Sequence, residues 1–557
     1  MTRLSLCLWA LACTTCFGGS PEIFPHGAVV SQNGLASEAG AQVLREGGNA
    51  VDASVATAFA LAVTHPAAGN IGGGGFLVFR DAAGNAVTYD FREKAPAAAY
   101  PNMWLNKNGE YDSRRHHLSW LAPGVPGSVA GLHAAWSDHG KLPWKRLLAP
   151  AIKLADEGFP VSAELASSLK NVRSRLEIAN ASINQFTKDS RPYVVGDLLV
   201  QRDLAATLRR IAEKGPAGFY SGQTARLIVD DMQAHGGLIT LEDLENYRPV
   251  RREPIRGKYR GYDIISMPPP SSGGITLVQM LNVLEEFPLR ETGPGSATSL
   301  HVMAETMRRA YLERARHLGD PDFNPELPVA RLLSQEHATK LRTSIDPNRA
   351  TPSVLADIDL IPESPETTHL SVVDQHGNAV ALTTTLEYSY GSGIVVEGAG
   401  FLLNNEMGDF NPVPGLTSEK GLIGTRPNVT QPGKRMLSSM TPTIVTREGK
   451  LVLVTGSPGG RTIINTVLQT ILNVIDHQMH AQDAVDFGRI HHQWMPDELQ
   501  YEKNQLSHDT LELLRAKGHV LRQVGSQGSA QIIRVNDAGE IEVGVDHRIP
   551  DAAAAGH

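Results

Sequence analysis

The feature that most constrains the fold is a pair of alternating segments in the last third of the chain. The first spans residues 367–373 and the second residues 379–386, and the five residues between them, 374–378, have the composition of a tight turn. Two β-type runs joined by so short a connection predict an antiparallel hairpin. A three-residue loop places Gly377 at the left-handed position that such a loop requires.

This loop also predicts the register of the two strands, because every later pair follows from the first. The facing pairs are Asp374–Asn378, Val372–Val380, Leu370–Leu382 and Thr367–Thr385. The valine and leucine pairs form one apolar face, and the threonine pair lies on the other. A slip of one residue would destroy both matches.

The first residue of the hairpin, Thr367, has two interpretations. A threonine hydroxyl is a weak nucleophile that needs a base, and an α-amino group can be that base when the threonine is N-terminal. Cleavage of the Glu366–Thr367 bond would create this arrangement, with Thr385 close to the Thr367 hydroxyl. The alternative is a strand that uses threonine only for its β propensity.

Composition limits the function classes. The 557 residues include 51 Lys and Arg against 59 Asp and Glu, for a net charge of −8. A weakly acidic chain without long basic runs is a poor candidate for sequence-independent nucleic-acid binding. The length alone suggests about three or four domains. Residues 35–65 predict one helix that ends at His65–Pro66.

A second local pattern combines a strand, a glycine pair and a helix. Leu451–Thr455 predicts the strand, Gly459 and Gly460 follow, and an amphipathic helix comes next. Backbone N–H groups at such a junction can stabilise a developing oxyanion. A plain turn is the alternative for the glycine pair.

The N-terminus predicts export. Arg3 precedes an apolar run, Leu4–Ala12, which is too short to span a bilayer and has the pattern of a secretory signal. We therefore expect residues 1–19 to be a signal peptide and the protein to be periplasmic or secreted. Lipidation at Cys13 is the alternative. All three cysteines lie in the first sixteen residues, which argues against thiol catalysis in the mature protein.

Several ordered motifs, which cover nearly the whole chain from about residue 25, resemble those of the γ-glutamyltransferases, also called γ-glutamyltranspeptidases or glutathione hydrolases. The motifs are Gly72–Gly75, Asp90–Glu93, Pro123–Gly127, Pro268–Gly274, Gly319–Pro321, Thr367–His369, Asn404–Phe410, Arg435–Met440, Gly456–Gly460 and His491–Trp494.

The resemblance implies an α+β fold, an αββα sandwich of the N-terminal-nucleophile hydrolase type. It implies a precursor that cuts itself into a large subunit, here 20–366, and a small subunit, 367–557, which remain associated as a heterodimer in one folded unit. The implied substrates are glutathione and other γ-glutamyl compounds, with water, amino acids or dipeptides as acceptors. It implies no cofactor and no metal.

The resemblance also implies roles for individual residues. Thr367 is the nucleophile both for self-cleavage at Glu366–Thr367 and for catalysis, and Thr385 orients its hydroxyl. Gly459 and Gly460 form the oxyanion hole. The substrate-binding residues are Arg92, Ser438 and Ser439 for the α-carboxylate, Glu406 and Asp409 for the α-ammonium, and Glu387 close to that group.

Two positions depart from the family pattern. Glu387 stands where the family often has Asn, although some bacterial members have Glu there. Lys420 lies in the Pro412–Gly433 stretch that matches the lid loop, at the place of a gating tyrosine. Both changes bear on donor specificity. His491 and His492 are interpreted as structural, because adjacent side chains point apart.

Two alternatives to a glutathione hydrolase stay open. One is an acylase of the same family that acts on glutaryl β-lactams or poly-γ-glutamate, which would need no ammonium site at Glu406 and Asp409. The other is a non-catalytic exported binding protein that has kept the fold.

Overall fold

A computed structural model describes residues 19–354, 366–413, 415 and 424–557. The strands are β1 Glu22–Phe24, β2 Ala28–Ser31, β3 Gly74–Arg80, β4 Ala86–Asp90, β5 Phe159–Pro160, β6 Thr187–Lys188, β7 Arg191–Pro192, β8 Leu198–Leu199, β9 Val250–Arg252, β10 Ile255–Tyr259, β11 Tyr262–Ser266, β12 Glu366–Val373, β13 Ala379–Glu387, β14 Thr443–Arg447, β15 Lys450–Thr455, β16 Ile490–His491, β17 Leu499–Glu502, β18 Leu521–Val524, β19 Ile532–Val535, β20 Ile541–Gly544 and β21 Ala553–Gly556.

The helices are α1 Gly34–Arg45, α2 Ala50–Thr64, α3 Ser113–His117, α4 Ser128–His139, α5 Trp144–Glu157, α6 Ala163–Leu176, α7 Asn180–Gln185, α8 Arg202–Lys214, α9 Ala217–Tyr220, α10 Gly222–His235, α11 Leu241–Glu245, α12 Gly273–Leu284, α13 Leu289–Thr292, α14 Ala297–His317, α15 Val329–Leu332, α16 Gln335–Thr343, α17 Thr462–Ile475, α18 Ala481–Asp486 and α19 His508–Ala516. Short 3₁₀ turns occupy Glu406–Asp409 and Arg426–Asn428.

Two seven-stranded antiparallel sheets form the centre of the molecule, in the orders β21-β2-β12-β13-β3-β4-β9 and β1-β20-β19-β15-β14-β11-β10. Alternate residues of the hairpin face different cores. Leu370 and Leu382 join a core with α1, α2 and α5, whereas Val373 and Ala381 join a core with the second sheet, α12 and α17. The helices thus cover the outer faces of two packed sheets, and the predicted αββα sandwich is confirmed.

Each sheet contains strands from both sides of Thr367. In the first sheet β12 and β13 lie between β2 and β3, and in the second sheet β15 lies between β14 and β19 while β11 pairs with β14. The length-based expectation of three or four domains is therefore wrong, since one sandwich combines distant parts of the chain.

The single helix predicted over residues 35–65 is two helices, α1 and α2. Gly47 has a φ of 88°, a left-handed conformation that ends α1. Asn49 then begins α2 through a capping box with Asp52. The predicted stop is correct, because α2 ends at Thr64. The glycine and the cap were the signals for this break.

The hairpin register is confirmed from residue 368 onward. Leu370 pairs with Leu382 and Val372 with Val380, and Gly377 has the left-handed φ of 83°. The Asp374 carboxylate also accepts from the first N–H of α2, at Ala50, over 3.0 Å. The turn is thereby tied to the neighbouring helix.

The predicted one-to-one pairing of Thr367 with Thr385 is wrong. The register changes between the pairs Glu366–Glu387 and Thr368–Thr384, so that Thr367 faces two residues, Thr385 and Leu386. Such a β-bulge bends the strand locally and re-aims its side chains, which is why bulges occur near active sites.

No helix within the described residues is both long and apolar enough to cross a bilayer. The predicted signal segment, with Cys13, lies outside the described residues.

Candidate active site

Thr367 is the second residue of β12 and is buried, with 5% of its surface exposed. Together with seven other residues singled out from the sequence it lines one small cavity of about 20 Å³. Those residues are Arg92, Thr385, Glu387, Asp409, Ser438, Ser439 and Gly460. A space of this size holds about one water molecule. Side chains from distant segments thus converge on Thr367 while the bond to Glu366 is intact.

A second, larger cavity of about 480 Å³ also reaches Thr367. Its lining includes Gly459, Tyr390, Gln527 and Arg548. Thr367 therefore lines both a small polar cavity and a much larger one.

Arg92 follows β4 and is the cation of the small cavity, with 1% of its side chain exposed. Its Nη1 lies 2.5 Å from Glu406 Oε2 and 3.5 Å from Glu93 Oε2, and its Nη2 donates to Asp409. Burial disfavours the charged guanidinium, but the three acids outweigh burial and raise the pKa of Arg92. Arg92 is thus held charged and oriented.

The acidic side chains around Arg92 outnumber it, so one guanidinium cannot neutralise all of them. Burial raises the pKa of Glu406 to about 8; Arg92 opposes this shift, and Glu93 and Glu387 add to it. Burial likewise raises the pKa of Glu93 to about 8, against Arg92 and with the help of Asp409. A second cation entering here would be stabilised by these carboxylates.

Ser438 and Ser439 are held from behind by an arginine that the sequence reasoning missed. Arg314, on α14 and 2% exposed, donates from Nη2 to Ser439 Oγ over 2.9 Å and from Nε to Ser272 Oγ over 2.8 Å. Ser272 Oγ in turn donates to the Ser438 carbonyl over 2.6 Å. A basic residue in a helix is usually solvated, so nothing in the local pattern marked Arg314 as buried.

Gly459 and Gly460 occupy the predicted junction between β15 and α17. Their φ values of 130° and 54° are conformations that favour glycine. A Cβ on Gly459 would lie 2.4 Å from Thr462 Oγ1. The first N–H groups of α17, at Thr462 and Ile463, donate to the carbonyls of Gly459 and Gly460 over 3.0 and 3.1 Å, and the helix dipole gives this end a partial positive charge beside Thr367.

Thr385 and Glu387 are linked at the end of β13. The Glu387 N–H donates to Thr385 Oγ1 over 2.8 Å, and Glu387 has a φ of 76°, which is strained for a non-glycine residue. The Glu387 carboxylate contacts His117 Nδ1 at 2.9 Å. No sequence pattern marked His117, which lies on α3.

The remaining predicted positions have other surroundings. The Glu366 backbone begins β12. Lys420 lies outside the described residues, as do residues 355–365, which precede the predicted cleavage site. His491 contacts Asn465 at 2.7 Å and Gln493 at 2.8 Å, and His492 lies 3.3 Å from Asp497. These two histidines are buried and take part in a polar network away from Thr367.

Comparisons with known proteins show which family the chain resembles. A family model described as Gamma-glutamyltranspeptidase matches residues 36–556. The chain is 48% identical over 536 residues to the glutathione hydrolase proenzyme of Escherichia coli (strain K12), covering 96% of this chain and 92% of that protein. It is 37% identical over 528 residues to the acylase ACY 1 proenzyme of Pseudomonas sp. (strain SE83), covering 94% and 92%.

Among solved structures, the cephalosporin acylase from Bacillus halodurans superposes with a TM-score of 0.85 at 27% identity, covering 99% of each chain. This likeness supports the predicted fold class, an αββα sandwich of the N-terminal-nucleophile hydrolase type.

Proposed function

The chain belongs to the γ-glutamyltranspeptidase family, and we propose that it is a self-processing glutathione hydrolase and γ-glutamyltransferase whose nucleophile is Thr367. The observation that carries this proposal is the convergence of Thr367, a buried arginine, two serines and a surplus of acids on one small cavity. These groups are complementary to a γ-glutamyl head, which carries an α-carboxylate and an α-ammonium.

The nucleophile acts in two stages. Thr367 Oγ first attacks the carbonyl carbon of Glu366; the C–N bond between Glu366 and Thr367 breaks and the Thr367 nitrogen takes the hydroxyl proton, which leaves a free amine and an ester of Glu366 on Thr367 Oγ. Water then hydrolyses this ester to the Glu366 carboxylate and the Thr367 hydroxyl. An α-amino group with a pKa of about 7.7–8.0 can take the hydroxyl proton near neutral pH. Thr385 holds the hydroxyl in position from the bulge that faces Thr367.

In each turnover Thr367 Oγ forms a bond to the γ-carbonyl carbon of the donor. The C–N bond then breaks and the departing amine takes the proton, which leaves a γ-glutamyl ester on Thr367. Backbone N–H groups at Gly459 and Gly460 stabilise the negative oxygen of the tetrahedral intermediate. Water resolves the ester to glutamate, and the amine of an amino acid or dipeptide resolves it to a new γ-glutamyl amide.

Donor recognition uses the charges that surround Arg92. Arg92 exchanges its bonds with Glu406 and Asp409 for the donor α-carboxylate, with Ser438 and Ser439 as further donors. Glu406 and Asp409 then face the α-ammonium. Arg92 pairs with Glu406 and Asp409, so the carboxylate and the ammonium of the donor would replace contacts of the same kind: carboxylate with guanidinium, and cation with carboxylate.

The larger cavity supports the acceptor side of the reaction. It shares Thr367 with the small cavity and has room for the departing amine and for an incoming amino acid or dipeptide. Gly459 lines this cavity and also belongs to the proposed oxyanion site. An amine bound in the cavity would therefore lie close to the ester on Thr367.

Two subunits result from cleavage before Thr367: residues 20–366 and 367–557. The mixed sheets support their continued association, because β12 pairs with β2 and β13 pairs with β3 across the boundary. We further propose that the mature heterodimer is exported after removal of residues 1–19.

The decisive experiment compares wild type with Thr367→Ala. Wild type is expected to run as two bands and to release p-nitroaniline from γ-glutamyl-p-nitroanilide. The T367A variant is expected to stay as one band near 60 kDa and to release none. Full activity of T367A, or a wild type that is active but uncleaved, would refute the mechanism.

An acylase for glutaryl amides is the second candidate, favoured by the likeness to two proteins named as acylases. A glutaryl group has the carboxylate but no ammonium, so it would leave Glu406 and Asp409 without a new partner. We therefore expect the γ-glutamyl anilide to react faster than the glutaryl anilide under identical conditions, and the reverse order would favour the acylase.

A further inference from the structure

A chain of hydrogen bonds runs from the backbone into the donor cavity and ends at Glu387. His116 Nε2 lies 2.8 Å from the Met407 carbonyl oxygen, and Tyr111 Oη lies 3.1 Å from His116 Nδ1. Tyr111 Oη also lies 3.2 Å from His117 Nε2, and His117 Nδ1 lies 2.9 Å from Glu387 Oε1. Each hydrogen bond needs one donor and one acceptor. The position of every proton in the series can therefore be deduced in order, starting from the end at which the role of donor or acceptor is known.

The fixed end is the carbonyl of Met407, which can only accept. His116 therefore carries its proton on Nε2, and its Nδ1 is an acceptor because burial lowers the pKa of His116 well below its ordinary value. The single hydroxyl proton of Tyr111 then goes to His116, and the Tyr111 oxygen accepts from His117 Nε2. A neutral His117 carries one ring N–H, and that N–H is Nε2–H, which donates to Tyr111.

The last link needs one more proton. Without it, the lone pair of His117 Nδ1 and a carboxylate oxygen of Glu387 would face each other at 2.9 Å, two acceptors without a donor. We infer that His117 and Glu387 share one proton, and that His117 is the positioning residue that makes Glu387 a neutral hydrogen-bonding group in the donor cavity. This inference rests on the proposed function, because Glu387 acts there on the γ-glutamyl donor.

The geometry around Glu387 holds the pair together. His117 stacks on Tyr388 at 5.0 Å between ring centroids and 11° between planes. Gly408 leaves the space that the pair occupies, since a Cβ there would lie 2.2 Å from His117 Nδ1 and 2.4 Å from Glu387 Oε2. The strained φ of Glu387 is thus stabilised by contacts on its side chain.

Several charged and titratable groups face the pair. They are Asp409 and Glu406 from the acidic turn, Arg92 beyond them, Arg175 over the Tyr388 ring at 5.5 Å, and the phenols of Tyr111 and Tyr388. Burial lowers the pKa of His117 to about 4, with Asp409 opposing the shift. This favours the arrangement in which the proton resides on the Glu387 carboxyl.

The shared proton has a consequence for pH dependence. It is bound at low pH and lost as the pH rises, after which the two facing acceptors repel each other. Glu387 then leaves its place, and the donor KM is expected to rise on the alkaline side. A KM effect separates this event from ionisation of the Thr367 amine, which acts on the chemical step.

The test is a double-mutant cycle on the self-processed enzyme, with wild type, His117→Phe, Glu387→Gln and the double variant. Phenylalanine keeps a ring against Tyr388 but has no nitrogen. We expect H117F to raise the donor KM for γ-glutamyl-p-nitroanilide at least about tenfold when residue 387 is Glu and less than about threefold when it is Gln, since the penalty is an unpaired buried acid. Equal effects in both backgrounds would overturn the inference.

Tyr111→Phe provides a second measurement. Without the hydroxyl, His117 is free to place its one proton on Nδ1 and donate it to an ionised Glu387. The alkaline rise in KM is then expected to disappear, because loss of the extra proton leaves a hydrogen bond from His117 Nδ1 to Glu387 instead of two facing acceptors. Tyr100→Phe, at a half-exposed tyrosine, is the matched control. An unmoved profile in Y111F would contradict the shared proton.

The proton assignment can also be measured without an activity assay, by nitrogen-15 NMR of the full chain with labelled histidines. The signals of His117 are identified by their absence in H117F. A protonated Nε2 on His117 is expected. A bare Nε2 would overturn the inference even in an active enzyme, whereas lack of amine release by wild type with a protonated Nε2 would refute the proposed function alone.

Discussion

Replacing Arg92 by lysine separates recognition of the donor carboxylate from recognition of its ammonium. Arg92 presents two nitrogens, Nη1 to Glu406 and Nη2 to Asp409, and both are available to the two oxygens of a carboxylate. Lysine has one nitrogen and also loses the contact of Nε with the Met436 carbonyl at 3.3 Å. The charge survives, but the paired geometry does not.

The magnitude follows from the loss of one charge-assisted hydrogen bond to the donor. Such a bond is worth about 1.5–3 kcal/mol, which is roughly a 10- to 150-fold fall in kcat/KM. The assay uses three p-nitroanilides: γ-glutamyl, glutaryl, which lacks the ammonium, and 4-aminobutyryl, which lacks the carboxylate. We expect R92K to lower kcat/KM for the first two and to leave the third within about twofold.

The matched control is Arg251→Lys, because the side chain of Arg251 is 63% exposed. Two bands on a gel and an unchanged melting temperature would show that R92K still folds and processes. A variant that slows the 4-aminobutyryl anilide as much as the γ-glutamyl anilide, or that spares the glutaryl anilide, would refute the assignment of Arg92 to the carboxylate.

Three other changes test separate parts of the structure. Gly459→Ala puts a Cβ 2.4 Å from Thr462 Oγ1 at a φ of 130°, so we expect kcat to fall about 10²- to 10³-fold with a smaller change in KM; initial rates that keep kcat intact would argue against an oxyanion role. Glu93 has a pKa of about 8 in the folded chain against an ordinary 4.5, so the folded state binds the extra proton and stability falls as the pH rises between these values. Melting curves should therefore show Glu93→Gln gaining on wild type from pH 5 to 8, and a constant difference would contradict the raised pKa. Gly377→Ala has open space at its Cβ but a φ of 83°, so denaturant titration should show a loss of about 1–2 kcal/mol with kcat unchanged; an equally stable variant would mean that the turn relaxes.

The parts of the fold that could be predicted are those encoded by neighbouring residues. The hairpin register followed from a five-residue turn and two alternating runs, and the junction at Gly459 followed from a strand, a glycine pair and an amphipathic helix. The bulge at Thr367 could not be predicted, because it depends on how the end of β13 meets β3, at the pair Thr385–Gly74.

The supporting residues of the site were also out of reach. His117 meets Glu387 across 270 residues of chain, and Arg314 meets Ser439 across 125. Neither residue sits in a pattern that marks it as buried, and each acquires its partner only through tertiary packing. The resemblance named the residues that touch the donor, whereas the structure adds those that hold them.

The interleaved sheets have a consequence for the proposed cleavage before Thr367. In the continuous chain, β2 finds β12 and β21 as parts of one molecule, and the entropic cost of closing such a loop grows slowly with its length. If the bond before Thr367 is cut as proposed, the same pairings must form between two molecules on refolding, and refolding then depends on their concentration. The proposed cleavage would then be irreversible in its effect on folding. The peptide bond before Thr367 connects the two segments only while the precursor folds, and a mature enzyme that unfolds in dilute solution would have to refold from two separate chains.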